Sequence, residues 1–205
     1  MIKDVFMESL PNIWPMIVII LVIVSSLRIT YLITKHKKFL LHKELIYLIA
    51  IIYILCLFYV VTFQDNNYGV SNYVPFKEIF RYSIGSKKFI KNILGNIMLF
   101  IPYGFLSSYL LKNRKISVTF ILSLVVSTTI EVVQYYIGRV FDIDDIILNV
   151  LGGIIGGLLF IGIDAIRSKV RILKNDTVID ILVIIILLLI IMYSFNINIF
   201  GMIWG

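Results

Sequence analysis

Six apolar stretches, each long enough to cross a bilayer, constrain this chain more than any other feature. A spanning helix needs about 20 predominantly apolar residues. The six stretches are Ile13–Ile33, Leu45–Phe63, Ile93–Leu111, Ile116–Ile137, Ile146–Ile163 and Val178–Phe200. The composition argues against a soluble domain, since 60% of the residues are hydrophobic. The sequence therefore predicts an all-α, polytopic membrane helix bundle with about six transmembrane helices.

Basic residues cluster in three of the connections between the predicted helices. They are Lys35, Lys37, Lys38 and Lys43 in the first connection, Lys112, Arg114 and Lys115 in the third, and Arg167, Lys169, Arg171 and Lys174 in the fifth. Because basic loops stay on the cytoplasmic side, we expect these connections inside and both termini outside. They account for most of the formal charge of +7. We therefore expect membrane lipids as partners and no nucleic acid.

The second connection, Gln64–Lys91, is expected outside, although it is itself basic. Its charged residues are Lys77, Arg81, Lys87, Lys88 and Lys91 against Asp65 and Glu78, and its aromatic residues include Tyr68, Tyr73, Phe76, Phe80 and Tyr82. Cationic and aromatic residues together favour a segment in the membrane interface, where the cations meet lipid phosphates. We predict an interfacial outer-loop segment here, long enough to hold an amphipathic helix; an external strand and a re-entrant turn remain open for it.

Polar side chains recur at helical spacing in the third to fifth predicted helices and in the turn before the fifth. Such residues are costly in a membrane and commonly mark functional sites. Asn92 and Asn96 share one helix face, and Glu131 and Gln134 share another. The candidate ligand-binding residues are Asn92, Asn96, Glu131, Gln134, Arg139, Asp142, Asp145 and Asn149. Glu131, Asp142 and Asp145 are also the candidates for catalysis.

Two glycines in the fifth predicted helix indicate a close contact with another helix. Gly152 and Gly156 lie one turn apart, a spacing that lets a neighbouring helix approach closely in membranes.

Cys56 is the only cysteine, which excludes an intrachain disulfide and a thiolate metal cluster. His36 and His42 fall in the first cytoplasmic connection, across the membrane from the acids, and we expect them in solvent or on lipid headgroups. We predict no cofactor and no dedicated metal site.

Several short motifs, weak singly, are specific in their order and spacing. They are Asn72-Tyr73-Val74-Pro75-Phe76, Asn92-Ile93-Leu94-Gly95-Asn96, Phe100-Ile101-Pro102-Tyr103-Gly104, Glu131-Val132-Val133-Gln134, Gly138-Arg139, Asp142-Ile143-Asp144-Asp145 and Asn149-Val150-Leu151-Gly152-Gly153. Over about residues 72–157 the chain resembles the VanZ-like membrane proteins, named after a teicoplanin-resistance determinant. The resemblance implies a helical domain of the bacterial envelope, linked in some members to reduced susceptibility to teicoplanin and related lipid-bearing glycopeptides. Asp144 varies more in that pattern and ranks below the other acids.

The resemblance and the helix pattern together divide the chain into three parts. Residues 1–66 form a two-helix membrane segment, residues 67–163 a VanZ-like core, and residues 164–205 a basic loop with a C-terminal helix. The expected location is the bacterial plasma membrane, which the chain crosses several times.

Three functions remain open at this point. The favoured one is recognition of an amphiphile or envelope lipid, such as a lipoglycopeptide or a lipid-linked cell-wall precursor, in an outward-facing polar cleft. The second is a membrane enzyme in which Glu131, Asp142 and Asp145 act as acid and base, or as Mg²⁺ or Ca²⁺ ligands. The third is a structural role, in which the polar residues hold the helices together.

Overall fold

The computed structural model describes residues 2–63, 70–81, 83, 85–86 and 89–194, with side chains from Trp14 to Leu188 except Phe63 and Lys91. The helices are α1 (Ile2–Thr34), α2 (Leu41–Phe63), α3 (Lys77–Arg81), α4 (Gly95–Leu111), α5 (Ile116–Tyr136), α6 (Ile143–Lys169) and α7 (Asp176–Ser194). A π-helical turn, Ile90–Leu94, leads into α4, and a 3₁₀ turn, Arg171–Lys174, joins α6 to α7. The predicted all-α polytopic class is confirmed.

Five helical spans are long and apolar enough to cross a membrane, by length and composition. They are Trp14–Thr34, Leu41–Thr62, Asn92–Leu111, Ile116–Tyr136 and Ile143–Lys169. The sixth predicted span, Val178–Phe200, begins within α7, and its last residues, 195–200, lie outside the described part of the chain.

The fifth span is longer at both ends than the sequence predicts. Acids in the first turn and bases in the last turn stabilise a helix through its dipole, and α6 carries Asp144 and Asp145 at its start and Arg167 and Lys169 at its end. A search for apolar residues alone stops short of such charged ends.

Helices α4 and α6 pack with their backbones almost in contact. A Cβ atom added to Gly152 would meet the backbone of Ile97, and one added to Gly156 would meet the backbone of Ile101. This is the close approach that the spacing of the two glycines predicts. Helix α5 packs against the same part of α6, so α4, α5 and α6 form the centre of the bundle.

The three basic connections lie at the same end of the bundle, which we call the inner end after the predicted orientation. Asp176, at the start of α7, is 3.6 Å from Lys43 Nζ and 3.2 Å from Arg167 Nη2. Arg114, in the third connection, pairs with Asp164 of α6. The opposite end, where α5 ends and α6 begins, is the outer end.

His42 corrects one expectation from the sequence. The residue is only 3% exposed, and its Nδ1 atom lies 2.6 Å from Oδ1 of Asp180 in α7. The backbone N–H of His42 donates to the same oxygen at 2.7 Å. The expectation that His42 lies in solvent or on headgroups is therefore wrong, because the residue is buried and its ring contacts a carboxylate 138 residues away in sequence. His36 does lie in an exposed turn.

Candidate functional site

The second connection lies across the outer end of the bundle as a strap, which we define as residues Val70–Arg81. The backbone N–H of Asn72 donates to the carbonyl of Phe141 at 2.8 Å, and the N–H of Ile143 donates to the carbonyl of Asn72 at 3.0 Å. The strap is extended here and ends in the five-residue helix α3. Residues 64–69, 82, 84, 87 and 88 of the predicted interfacial segment lie outside the described residues.

Asp144 anchors the strap to the start of α6. Its Oδ1 accepts the N–H of Phe76 at 2.5 Å, and its Oδ2 accepts the N–H groups of Glu78 at 2.7 Å and Ile79 at 3.2 Å. The first turn of α3 has no helical partners for these donors, so the carboxylate supplies them. Asp144 is 1% exposed. Asp144, which the family resemblance ranks below the other acids, thus accepts hydrogen bonds from three backbone N–H groups.

Glu131, Gln134 and Arg139 form a connected polar group beneath the strap. Glu131 is 2% exposed, and its Oε2 accepts the N–H of Asp142 at 2.9 Å. The Gln134 amide satisfies both its atoms when its nitrogen donates to Glu131 Oε1 and its oxygen accepts from Arg139 Nη1, each at 3.0 Å. Arg139 also donates to the carbonyl of Val61 in α2 at 2.8 Å. The Gln134 amide therefore links the acidic side chain of Glu131 to the basic side chain of Arg139.

Gly138 explains how Arg139 comes to face this group. Helix α5 ends at Tyr136, and Gly138 follows with φ of +87°, a conformation that glycine adopts without strain. The N–H of Arg139 then returns to the carbonyl of Gln134 at 2.9 Å, the long hydrogen bond of a Schellman motif. The glycine turns the chain so that Arg139 lies beside Gln134.

Asp142 is the N-cap of α6 and links the polar group to the strap. Its Oδ1 accepts the N–H of Asp144 and the amide of Asn72, both at 2.9 Å. Burial raises the pKa of Asp142 above its ordinary value, while these two hydrogen bonds act in the opposite direction.

Two further pairs join the helices next to this group. Asn96 of α4 donates to Oδ1 of Asp145 at 2.5 Å. Asn149 is one turn deeper along α6 and donates to the hydroxyl of Ser127 in α5 at 2.9 Å. Asn92 lies in the π-helical turn before α4, where the N–H of Gly95 reaches the carbonyl of Ile90. Single π-turns of this kind occur frequently at functional sites.

The structure thus joins Glu131, Gln134, Arg139 and Asp142 directly, in what we call the outer network. The Asn96–Asp145 pair joins α4 to α6, and the Asn149–Ser127 pair joins α6 to α5. Asn72 and Ser127 join this site although neither is among the site residues predicted from sequence. Asn72 belongs to the motif Asn72-Tyr73-Val74-Pro75-Phe76, and Ser127 lies one turn from Glu131 on the same helix face, so the sequence contained a signal for both.

The described surface includes a groove on α5 whose lining is mostly apolar. It is formed by Leu124, Val125, Thr128, Thr129, Val132 and Val133, and no residue of the outer network lines it. The outward-facing polar cleft therefore stays a prediction. Among the described residues, no group of three or more His, Cys, Asp and Glu side chains is placed to hold a metal ion.

Neither a curated protein nor a solved structure matches the chain. The family model VanZ/LLP1 matches residues 44–167, which run from the first turn of α2 to the last turn of α6 and include the strap and the outer network. This match covers more than half of the 205 residues. The chain belongs to the VanZ/LLP1 family.

Proposed function

We propose that this protein lies in the bacterial plasma membrane and binds an amphiphile at its outer end, thereby lowering susceptibility to teicoplanin-type lipid-bearing glycopeptides. The ligand would be the acyl-bearing glycopeptide itself or a lipid-linked cell-wall precursor. The observation that carries the proposal is the joining of a buried polar network to a strap whose large apolar side chains are exposed.

The strap offers an apolar surface next to polar groups, which is what an amphiphile requires. Tyr73, Val74, Phe76 and Phe80 are all exposed, Phe80 to 83%. The same strap bonds through Asn72 to Asp142, and Asp142 bonds to Glu131. An acyl chain could lie along the aromatic side chains while the polar head is held by the network.

The charges at this end suit a ligand with an anionic head. Arg139 is half-buried and held between Gln134 and the carbonyl of Val61. A guanidinium has five donors, so it retains capacity for a phosphate or carboxylate. Lys77 on the strap is exposed and adds a further positive charge near the lipid headgroups.

The test is the melting temperature of the detergent-solubilised protein with teicoplanin, with the non-acylated glycopeptide vancomycin and with purified envelope lipids. We expect teicoplanin or a lipid-linked precursor to raise it and vancomycin to leave it unchanged. Glu131→Gln and Asp145→Asn should lose the response. Asp164→Asn is the matched control, because it removes a carboxylate of the exposed Arg114 pair at the inner end.

Two results would count against binding at this site. One is the absence of any shift with every compound, and the other is an equal shift in wild type, Glu131→Gln and Asp145→Asn. If the two variants simply melt earlier without ligand and respond normally to it, the network has a structural role.

A second candidate is a membrane enzyme, favoured by the grouping of acids at the outer end. The backbone N–H of Asp142 donates to the Glu131 carboxylate. Asp145 lies in the first turn of α6, which Asp142 caps. Two acids in different environments can act as acid and base on a lipid-linked substrate. Incubation of the reconstituted protein with a lipid-linked precursor, followed by mass spectrometry, tests this; an unchanged precursor would exclude turnover of that substrate.

A further inference from the structure

Two carboxylates of α7 lie beside the two ring nitrogens of His42, at the inner end of the bundle. Asp176 and Asp180 are four residues apart, so they share one face of α7. Oδ1 of Asp180 lies 2.6 Å from Nδ1, and Oδ1 of Asp176 lies 3.7 Å from Nε2. The imidazole side chain is 4% exposed. A buried histidine of α2 therefore lies between two acids of another helix.

The two ring nitrogens differ in how they are satisfied. Nδ1 lies against the Asp180 carboxylate, which only accepts hydrogen bonds, so this nitrogen carries a hydrogen. In the neutral ring, Nε2 then has a bare lone pair, and it is buried without a hydrogen-bond partner among the described residues. The Asp176 oxygen beside it is an acceptor as well. The neutral ring thus leaves one buried nitrogen unsatisfied, which is costly.

A second proton on the ring would remove this conflict. Both nitrogens of a protonated imidazole are donors, so Nε2–H would point at Asp176 while Nδ1–H keeps its bond to Asp180. A movement of about 0.5–1 Å would bring the 3.7 Å separation into the hydrogen-bond range of about 2.7–3.2 Å. The charged ring would then bridge the two acids.

The other charged groups around the ring are already paired. The pairs are Arg28 of α1 with Glu44 of α2, Lys43 of α2 with Asp176, and Arg167 of α6 with Asp176. Arg171 and Lys174 of the 3₁₀ turn are exposed, and the nearby phenol of Tyr109 in α4 is neutral at physiological pH. Among the described residues, Asp180 has no basic partner other than His42. Only a charged imidazole pairs its charge.

The same contacts lie where α7 is attached to the bundle. Within its described residues, α7 packs chiefly against α2 and the 3₁₀ turn. Farther along the helix, Ile181, Ile184 and Leu188 are exposed. The contacts of Asp176 and Asp180 with α2 are therefore well placed to determine how firmly α7 is held.

We propose that His42, Asp176 and Asp180 form a proton-operated latch that fixes α7 against the start of α2. With the second proton, the ring bridges both acids and α7 stays in the position described. Without it, the Nε2 lone pair and the Asp176 carboxylate oppose each other, and α7 is less firmly held. The proton comes from water and forms an N–H bond at Nε2, so no other reactant is required.

The direction of the pH response follows from this chemistry. Imidazole side chains change their charge between about pH 5 and pH 8. The latch therefore closes as the pH falls through this range and opens as it rises. It lies at the inner end, away from the outer network, and does not depend on amphiphile binding.

The test is the distance between two spin labels, measured by electron paramagnetic resonance on the full chain. Ile49→Cys in α2 and Ile185→Cys in α7 place the labels at exposed positions, and Cys56→Ala removes the native thiol. We expect a narrow distance distribution at about pH 5 and a broader one at about pH 8. His42→Gln cannot gain a charge and should give the broader distribution at both. His36→Gln is the matched control, because His36 lies in an exposed turn, and it should keep the pH response.

Either of two results would overturn the latch: an identical distance distribution at both pH values with His42 present, or a pH response that persists in His42→Gln. Nitrogen NMR decides the matter if His42→Gln does not fold. The chain has two histidines, so His36→Gln protein with isotope-labelled histidine reports the His42 ring alone. Both ring nitrogens should carry hydrogen at the lower pH and only one at the higher pH. A ring with the same protonation at both would also overturn the proposal.

Discussion

At the scale of single residues, Asp144 and Asn149 show how far a polar pattern can be interpreted from sequence. Both belong to recognisable motifs, but a motif does not show which neighbour a side chain meets. Asp144 meets three N–H groups of the strap, 65 to 68 residues away. Asn149 meets a serine on the neighbouring helix. Helix periodicity predicts the face that a residue occupies, whereas the partner depends on tertiary packing.

Asp144→Ala should release the strap. The substitution leaves the N–H groups of Phe76, Glu78 and Ile79 without their shared acceptor, and hydrogen bonds to a charged group contribute about 1.5–3 kcal/mol each. We expect the free energy of unfolding to fall by about 3 kcal/mol or more, less than the sum of the three bonds because the released N–H groups can bond to water. Limited proteolysis should cut residues 70–81 faster. Equal cleavage in Asp144→Ala and Asp164→Ala would show that the strap is held by other contacts.

Asn149→Ala tests whether a deep amide contributes only to packing. The amide bonds to the buried Ser127 hydroxyl, and interhelical hydrogen bonds of this kind contribute about 0.6–2 kcal/mol in membranes. We expect a loss of about 1 kcal/mol in stability, with the thermal response to teicoplanin kept. Unchanged stability together with a lost response would instead make Asn149 part of the ligand site.

At the scale of elements, the contact between α4 and α6 depends on two glycines. The sequence predicted a close helix approach from their spacing but could not identify the partner helix. The predicted helices have similar hydropathy, so only the tertiary structure shows that these two glycines contact α4 and not α5. The ends of α6 were misjudged for a different reason, since the charged residues that stabilise helix ends resemble loop residues in a hydropathy profile.

Gly152→Leu should prevent α4 and α6 from packing. Even a Cβ atom would strike the Ile97 backbone, which cannot move aside as a side chain can. We expect a loss of about 3 kcal/mol or more and little monodisperse protein on size exclusion. Gly162→Leu is the matched control on the same helix, because a Cβ atom there has nothing within 4 Å. Normal assembly of Gly152→Leu would contradict the packing described.

At the scale of the whole molecule, hydropathy predicted the all-α polytopic class, because a membrane imposes span lengths directly. The positions of the basic residues predicted which connections share one end of the bundle. The contact between His42 of α2 and Asp180 of α7 could not be predicted from the sequence, since these residues are far apart in the chain and neither belongs to a motif. The strap was predicted as interfacial, but its pairing with the start of α6 depends on a backbone bridge between Asn72 and Asp142. The contacts between the strap and the start of α6 hold Asp142, and with it the outer network, in place.

The most direct test of the central claim is teicoplanin susceptibility in a sensitive bacterium that expresses wild type, Glu131→Gln or Asp164→Asn at equal membrane levels. Wild type and Asp164→Asn should raise the inhibitory concentration of teicoplanin without changing that of vancomycin, and Glu131→Gln should return it to the value of the empty host. Unchanged susceptibility with wild type, or equal protection by Glu131→Gln, would contradict a role for the outer network in glycopeptide resistance.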